Sequence, residues 1–172
     1  MIEGVEVRDL TKNIDERGFF SELIRTDWTD YLRGDDLLQL NLSFSYSGIV
    51  RAWHRHLRGQ NDYFMCVDGA VKVCAYDDRQ DSKTYGELDE IILSSERLRV
   101  ARIPGILWHG YQAIGSQPVK VCYAVNRLYE YKDPDEERRP WDDPQIIPKS
   151  INGKTNDPRV GNAWNWYCSP NK

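Results

Sequence analysis

Apolar and polar positions alternate with a period of two along much of this chain. From Leu38 to Ser45 the order Leu38-Gln39-Leu40-Asn41-Leu42-Ser43-Phe44-Ser45 puts apolar side chains on one face of a strand and polar ones on the other. Tyr63–Val67 is a continuous apolar run that stops at Asp68-Gly69, a dipeptide suited to a tight hairpin, and Ala70–Tyr76 resumes in the return direction. Shorter apolar runs follow at Ile91–Leu93, Leu98–Ile103, Tyr111–Ile114 and Val119–Val125, with turn residues between them. Many short strands at near-regular spacing predict an all-β fold, a sandwich or a barrel. Only Ser21–Leu32 and Asp133–Arg139 read as short helices. Neither an internal repeat nor a Pro-, Gly- or Ser-rich linker divides residues 1–172, which predicts one domain. The tail from Asp142 onward is rich in Pro and Asn, yet it carries Trp164, Trp166 and Tyr167. Aromatics of that size are expected to dock on the body or on a partner subunit.

Composition narrows the class. The 172 residues are 40% hydrophobic and 12% aromatic, which supports a packed core and excludes disorder. Lys plus Arg number 23 against 27 Asp plus Glu, so the net charge of −4 argues against wrapping nucleic acid but leaves room for a local basic pocket. No stretch approaches the roughly 20 apolar residues of a membrane span. The start, MIEGVEVRDL, lacks the basic and apolar regions of a signal peptide, so a cytoplasmic location is expected. The four cysteines, Cys66, Cys74, Cys122 and Cys168, include no C-x-x-C pair and are expected to be reduced.

The three histidines are the sharpest local signal. His54 and His56 lie two apart, so on a strand they share a face, and His109 follows the turn Pro104-Gly105. With Gly48 ahead, Gln60 four residues after His56 and Gly69 behind, the pattern resembles the two short motifs of the cupin superfamily. The resemblance implies a double-stranded β-helix, a jelly-roll barrel with a few short helices. Many cupins bind a divalent metal through such histidines and a Glu; here Gln60, a weaker ligand, stands at the Glu position. Alternatively the histidines are hydrogen-bonded inside the barrel or act as acid–base groups.

A broader resemblance covers most of the chain. Asp15-Glu16-Arg17-Gly18-Phe19-Phe20-Ser21-Glu22 resembles the D-x-R-G-x-F-x-E segment of the dTDP-4-dehydrorhamnose 3,5-epimerase family. Gln39-Leu40-Asn41-Leu42-Ser43 is similar to its Q-x-N-x-S, and Arg51-Ala52-Trp53-His54 to its R-G-L-H. Asp77-Asp78-Arg79 with Ser82–Gly86, Pro104-Gly105 with His109-Gly110-Tyr111, and Trp141–Pro144 continue in family order. The resemblance implies a cofactor-free, metal-independent isomerase that inverts carbons next to the C4 ketone of a nucleotide-linked 4-keto-6-deoxy sugar. It implies His54 as base, Tyr123 as acid and Asp157 as the carboxylate behind the base. Arg17 and Arg51 match positions that contact the diphosphate, and Glu22 one that reads the nucleotide base or anchors the site. Gln39, Asn41, Gln60 and His109 are expected to line the pocket, and Phe19 and Tyr131 to stack on a pyrimidine. It also implies an obligate homodimer in which the segment Val5–Leu10 crosses to the partner.

Two positions depart from the family pattern. Asp62 stands where the family carries a Lys that can neutralise enolate charge, and His56 stands where it usually shows Gln. Arg58 or Lys72 could replace that Lys, or the chemistry is altered. A metal-dependent cupin using His54, His56, Gln60 and His109 is therefore an alternative, and a non-catalytic sugar-nucleotide-binding relative another.

Overall fold

The computed structural model describes residues 1–167; Cys168 lies outside them. Thirteen strands and one short helix occur in the order β1 (Glu6–Asp9), β2 (Asn13–Asp15), β3 (Gly18–Phe20), α1 (Thr29–Leu32), β4 (Gln39–Ser45), β5 (Val50–Arg55), β6 (Asn61–Asp68), β7 (Ala70–Tyr76), β8 (Glu87–Ser94), β9 (Arg99–Pro104), β10 (Trp108–Ile114), β11 (Val119–Val125), β12 (Glu137–Arg138) and β13 (Ser150–Ile151). One sheet runs β1-β9-β6-β11-β4, a second runs β12-β5-β10-β7-β8-β13, and β2-β3 form a small hairpin. The predicted all-β jelly roll is present, and the two large sheets pack face to face.

Three apolar layers account for the strand sequences. Phe64, Cys66, Val71, Val73, Ala101, Ile103 and Val121 fill the space between the sheets. On the far side of the five-stranded sheet, Tyr63, Met65 and Val100 pack under Tyr31 and Leu32 of α1. On the far side of the six-stranded sheet, Trp53, Cys74, Leu88 and Trp108 pack against Ile146, Ile151, Trp164 and Trp166 of the tail. Strands β6 and β7 are therefore covered on both faces, which is why they read as unbroken apolar runs rather than alternations. The tail docks on its own barrel, where the Lys72 ammonium donates to the Trp166 carbonyl and lies 5.6 Å from the Trp164 ring.

Three expectations are corrected. Of the stretch Ser21–Leu32 only the single turn of α1 is helical; the chain before it serves as a lid over the sheet, held by side-chain burial. Asp133–Arg139 holds no helix, because Glu137 and Arg138 pair with Arg55 and His54 at the edge of the second sheet. The segment Val5–Leu10 stays in its own chain: Glu6–Asp9 pair antiparallel with Arg99–Arg102, and Ile2 and Val5 enter the core. An otherwise open edge of β9 is thereby covered in cis.

Candidate active site

Strand alternation builds one wall of a cavity of about 620 Å³ between the sheets. Val125 is opposite both Gln39 and Asp62, and Tyr123 is opposite both Asn41 and Phe64. These side chains stand in two neighbouring rows on the inner face of the five-stranded sheet, all lining the cavity. The facing wall is β5, with Arg51 and His54, followed by His56 just beyond the strand end. His109 lies opposite His54 on β10.

Two glycines allow this convergence. The register of β10 on β5 shifts between His109 and Tyr111, and a Cβ on Gly110 would meet the Arg51 carbonyl at 2.4 Å. The close approach brings the His54 and His109 rings to 4.3 Å between centroids. At Gly105 a Cβ would meet the Gln60 carbonyl at 2.0 Å. Instead the Gly105 amide donates to that carbonyl at 2.9 Å, and the Gly105 carbonyl accepts from the His56 amide at 2.6 Å. The Pro104-Gly105 turn thus ties His56 and Gln60 together.

Asp62 is the centre of the polar floor. His109 Nε2 lies 2.7 Å from Asp62 Oδ2, His56 Nε2 lies 3.6 Å from the same oxygen, and Gln60 Nε2 donates to Asp62 Oδ1 at 2.9 Å. Burial alone would raise the Asp62 pKa, but the contacts with His109 and His56 outweigh it and hold the carboxyl far below the usual range. For His56 burial pulls the pKa down, and the Asp62 carboxylate and Asp135 carbonyl more than reverse it, so the net shift is upward. Burial, reinforced by His109, pushes His54 well below the ordinary histidine value, leaving an imidazole that is neutral at neutral pH. Burial, and then Asp62, raise the Tyr123 phenol.

The cavity gathers His54, Tyr123, Gln39, Asn41, Arg51 and Gln60, with His109 in the wall behind them. The other candidates lie elsewhere in the chain. Asp157 is not behind His54: both of its oxygens are held by Arg159, and the carboxylate acting on His54 is Asp62. Arg17 is bound to Asp15 on the exposed β2–β3 hairpin, Phe19 packs under Lys12, and Glu22 pairs with Arg25. Tyr131 is 88% exposed and meets edge-to-face with Tyr129, which itself lines the cavity. Neither proposed substitute for the Lys is present, since Lys72 is buried under the tail and Arg58 pairs with Asp133. The cavity's further cations are Arg127, Arg138 and Arg139, which sequence reasoning missed. Only the nearness of Arg138 and Arg139 to the Trp141 block could have signalled them.

The sequence profile of the dTDP-4-dehydrorhamnose 3,5-epimerase family matches residues 1–169. Among curated relatives, the chain is 48% identical over 141 residues to the "Probable low-salt glycan biosynthesis epimerase Agl13" of Haloferax volcanii, covering 82% of this chain and 89% of the relative. It is 39% identical over 150 residues to the spore coat polysaccharide biosynthesis protein SpsL of Bacillus subtilis, covering 85% and 94%. The crystal structure of an epimerase from Legionella pneumophila, in complex with dTDP-4-keto-L-rhamnose, superposes with a TM-score of 0.75 at 29% identity, covering 84% of this chain and 77% of that one. With its profile matched from end to end and the family's jelly roll built around the histidine-lined cavity, this chain belongs to the dTDP-4-dehydrorhamnose 3,5-epimerase family.

Proposed function

We propose that this protein is an epimerase of a nucleotide-diphosphate-linked 4-keto-6-deoxy sugar, supplying a precursor for glycan or polysaccharide synthesis in the cytosol. One observation carries the reading: His54 from one sheet and Tyr123 from the other open onto the same cavity, whose rim holds Arg51, Arg127, Arg138 and Arg139. Its volume falls in the usual range for a small-molecule site. Arginines suit a diphosphate because each guanidinium can donate two parallel hydrogen bonds. Gln39 and Asn41, joined by a 2.7 Å hydrogen bond, offer polar contacts for sugar hydroxyls. Tyr129 takes the stacking role in place of Tyr131.

In the reaction His54 accepts the proton on the carbon next to the ketone. The C–H electron pair becomes the C=C bond of an enolate, and the carbonyl pair moves to oxygen. Tyr123 then delivers its proton to the opposite face of that carbon, inverting it, and solvent resets both groups. The Asp157 role is taken by Asp62, which with His109 fixes the floor against which His54 stands.

A homodimer completes the reading. Leu38, Leu40, Leu42 and Phe44 form an exposed apolar row on the outer face of β4, and Phe19 and Phe20 are exposed on the hairpin. A second copy covers the row, and its hairpin brings Arg17, Phe19 and Glu22 towards the cavity mouth.

The test is deuterium wash-in at C3 and C5, followed by NMR across dTDP-, CDP-, UDP- and GDP-linked 4-keto sugars. His54→Asn is expected to abolish exchange and turnover. Tyr123→Phe is expected to keep wash-in on the original face while losing inversion by about 10²–10⁴-fold. Near-normal exchange in His54→Asn would sink the assignment.

A further inference from the structure

At the base of the cavity His56 and Asp62 meet His109 of the wall behind. His109 has Nδ1 2.8 Å from the Leu107 carbonyl, and His56 has Nδ1 against the Asp135 carbonyl. Each ring thus turns its Nδ1 to a backbone oxygen and its Nε2 to Asp62 Oδ2, and Gln60 Nε2 lies 3.0 Å from His56 Nε2. Gln60 occupies Oδ1, which leaves Oδ2 to the two rings. A divalent cation can take the place of the protons that join Asp62 to the two rings, since metal binding at such groups releases protons.

We propose that His56, Asp62 and His109 bind a divalent transition-metal ion. Two imidazoles and one carboxylate suit Fe(II), Mn(II), Co(II), Ni(II) or Zn(II) and leave coordination positions open. A backbone carbonyl on the far nitrogen of each ring is the usual device for orienting a metal-ligating histidine. The ligand atoms of His54, His56, Asp62 and His109 all lie within 4.8 Å of one another. Within the proposed set, His109 Nε2 and His56 Nε2 lie 2.7 and 3.6 Å from Asp62 Oδ2, close to the roughly 3.4 Å that separates tetrahedral ligands held at about 2.1 Å. The carboxylate is Asp62 and not Gln60, whose amide nitrogen faces the cluster.

His54 differs from the other two histidines. Its ring has no hydrogen-bond partner among the described residues, and it stands between His109 and the cavity. It is left free as the base. An ion held by His56, Asp62 and His109 would supply, beside the cavity, the positive charge that the family's Lys would bring to the enolate oxygen. The ion changes no oxidation state. This catalytic role rests on the epimerase reading; the binding of the ion does not.

The experiment uses untagged, full-length protein stripped with chelator and titrated with Co(II) and Zn(II), followed by calorimetry and Co(II) absorption. One ion per chain is expected. His56→Gln and Asp62→Asn should each weaken binding at least tenfold, with melts confirming that the variants fold, while His54→Asn binds as the wild type does. No saturable site in the wild type, or binding unchanged by both His56→Gln and Asp62→Asn, overturns the proposal in favour of a proton-linked network. A loss in His54→Asn as large as in Asp62→Asn overturns the three-ligand set. In the exchange assay the loaded protein should wash in deuterium at least tenfold faster than the stripped one; equal rates remove the ion from catalysis. No exchange in either form, with calorimetric binding intact, would sink the epimerase reading and leave the metal site standing.

Discussion

Arg51 is aimed by its neighbours on β4 towards the place proposed for the diphosphate. Its Nε donates to Ser45 Oγ at 2.9 Å and its Nη2 to the Phe44 carbonyl at 3.1 Å, which aims the guanidinium along the cavity rim while leaving it accessible. A charge-assisted contact with a diphosphate contributes about 1.5–3 kcal/mol. Arg51→Ala should therefore raise the dissociation constant for a nucleoside diphosphate by roughly ten- to a hundredfold with an almost unchanged thermal melt. Calorimetric titration of both proteins decides it, and equal affinities would remove Arg51 from the site. Asp62 is the opposite case. It is fully enclosed and bound by three neighbours, so its substitution disturbs the whole polar floor.

At the scale of elements, one local device recurs three times. In Asp15-Glu16-Arg17, Asp77-Asp78-Arg79 and Asp157-Pro158-Arg159, the aspartate accepts from the backbone amide and the guanidinium of the arginine two residues on. These are turn clamps, and those of Arg17, expected to contact the diphosphate, and Asp157, expected behind the base, sit away from the cavity of their own chain. The clamp after β7 is the most embedded. Burial alone would raise the Asp77 pKa, but Arg79, Ser82 and Thr84 overcome this and bring it down to about 2. Because the folded pKa lies below the unfolded value of 3.8, the stabilisation is present above about pH 4 and is lost as pH falls through about 2. Asp77→Asn should thus melt below the wild type at pH 7, with the gap closing between pH 4 and 2. A gap that stays constant over that range in melts followed by circular dichroism would refute the clamp's contribution.

Across the whole molecule, the apolar surface is distributed unevenly. The six-stranded sheet is covered by the aromatic tail and most of the five-stranded sheet by α1 and its flanks, but the outer face of β4 is bare. Leu40 and Leu42 are each 66% exposed, in a row that continues to Phe44. The proposed dimer would cover this row. Leu40→Glu with Leu42→Glu is expected to convert a dimer to a monomer at micromolar concentration in light scattering, with the fold retained because both side chains already point outward. A wild type that is monomeric under the same conditions would refute the dimer.

Local pattern by itself determined the strands of the barrel: alternation marked β4, and short apolar runs bounded by turn residues marked β6, β7 and the strands through β11, because both are properties of the extended chain. The motif order determined the family, and the spacing of His54 and His56 determined that they share a wall. What the sequence left open was decided by contacts between residues far apart in the chain. Gln39 and Asn41 face the cavity as the resemblance implies, but only the packing leaves the apolar Leu38–Phe44 row on the opposite face exposed. Arg138 pairs beside His54 from 84 residues away, and no periodicity announces such a contact. Asp62 reads as an anomaly beside Gln60 until β6 and β10 set it against His109, 47 residues later. Only the packing of the two sheets turns a misplaced charge into the centre of a site, because the partners that decide its chemistry come from different strands.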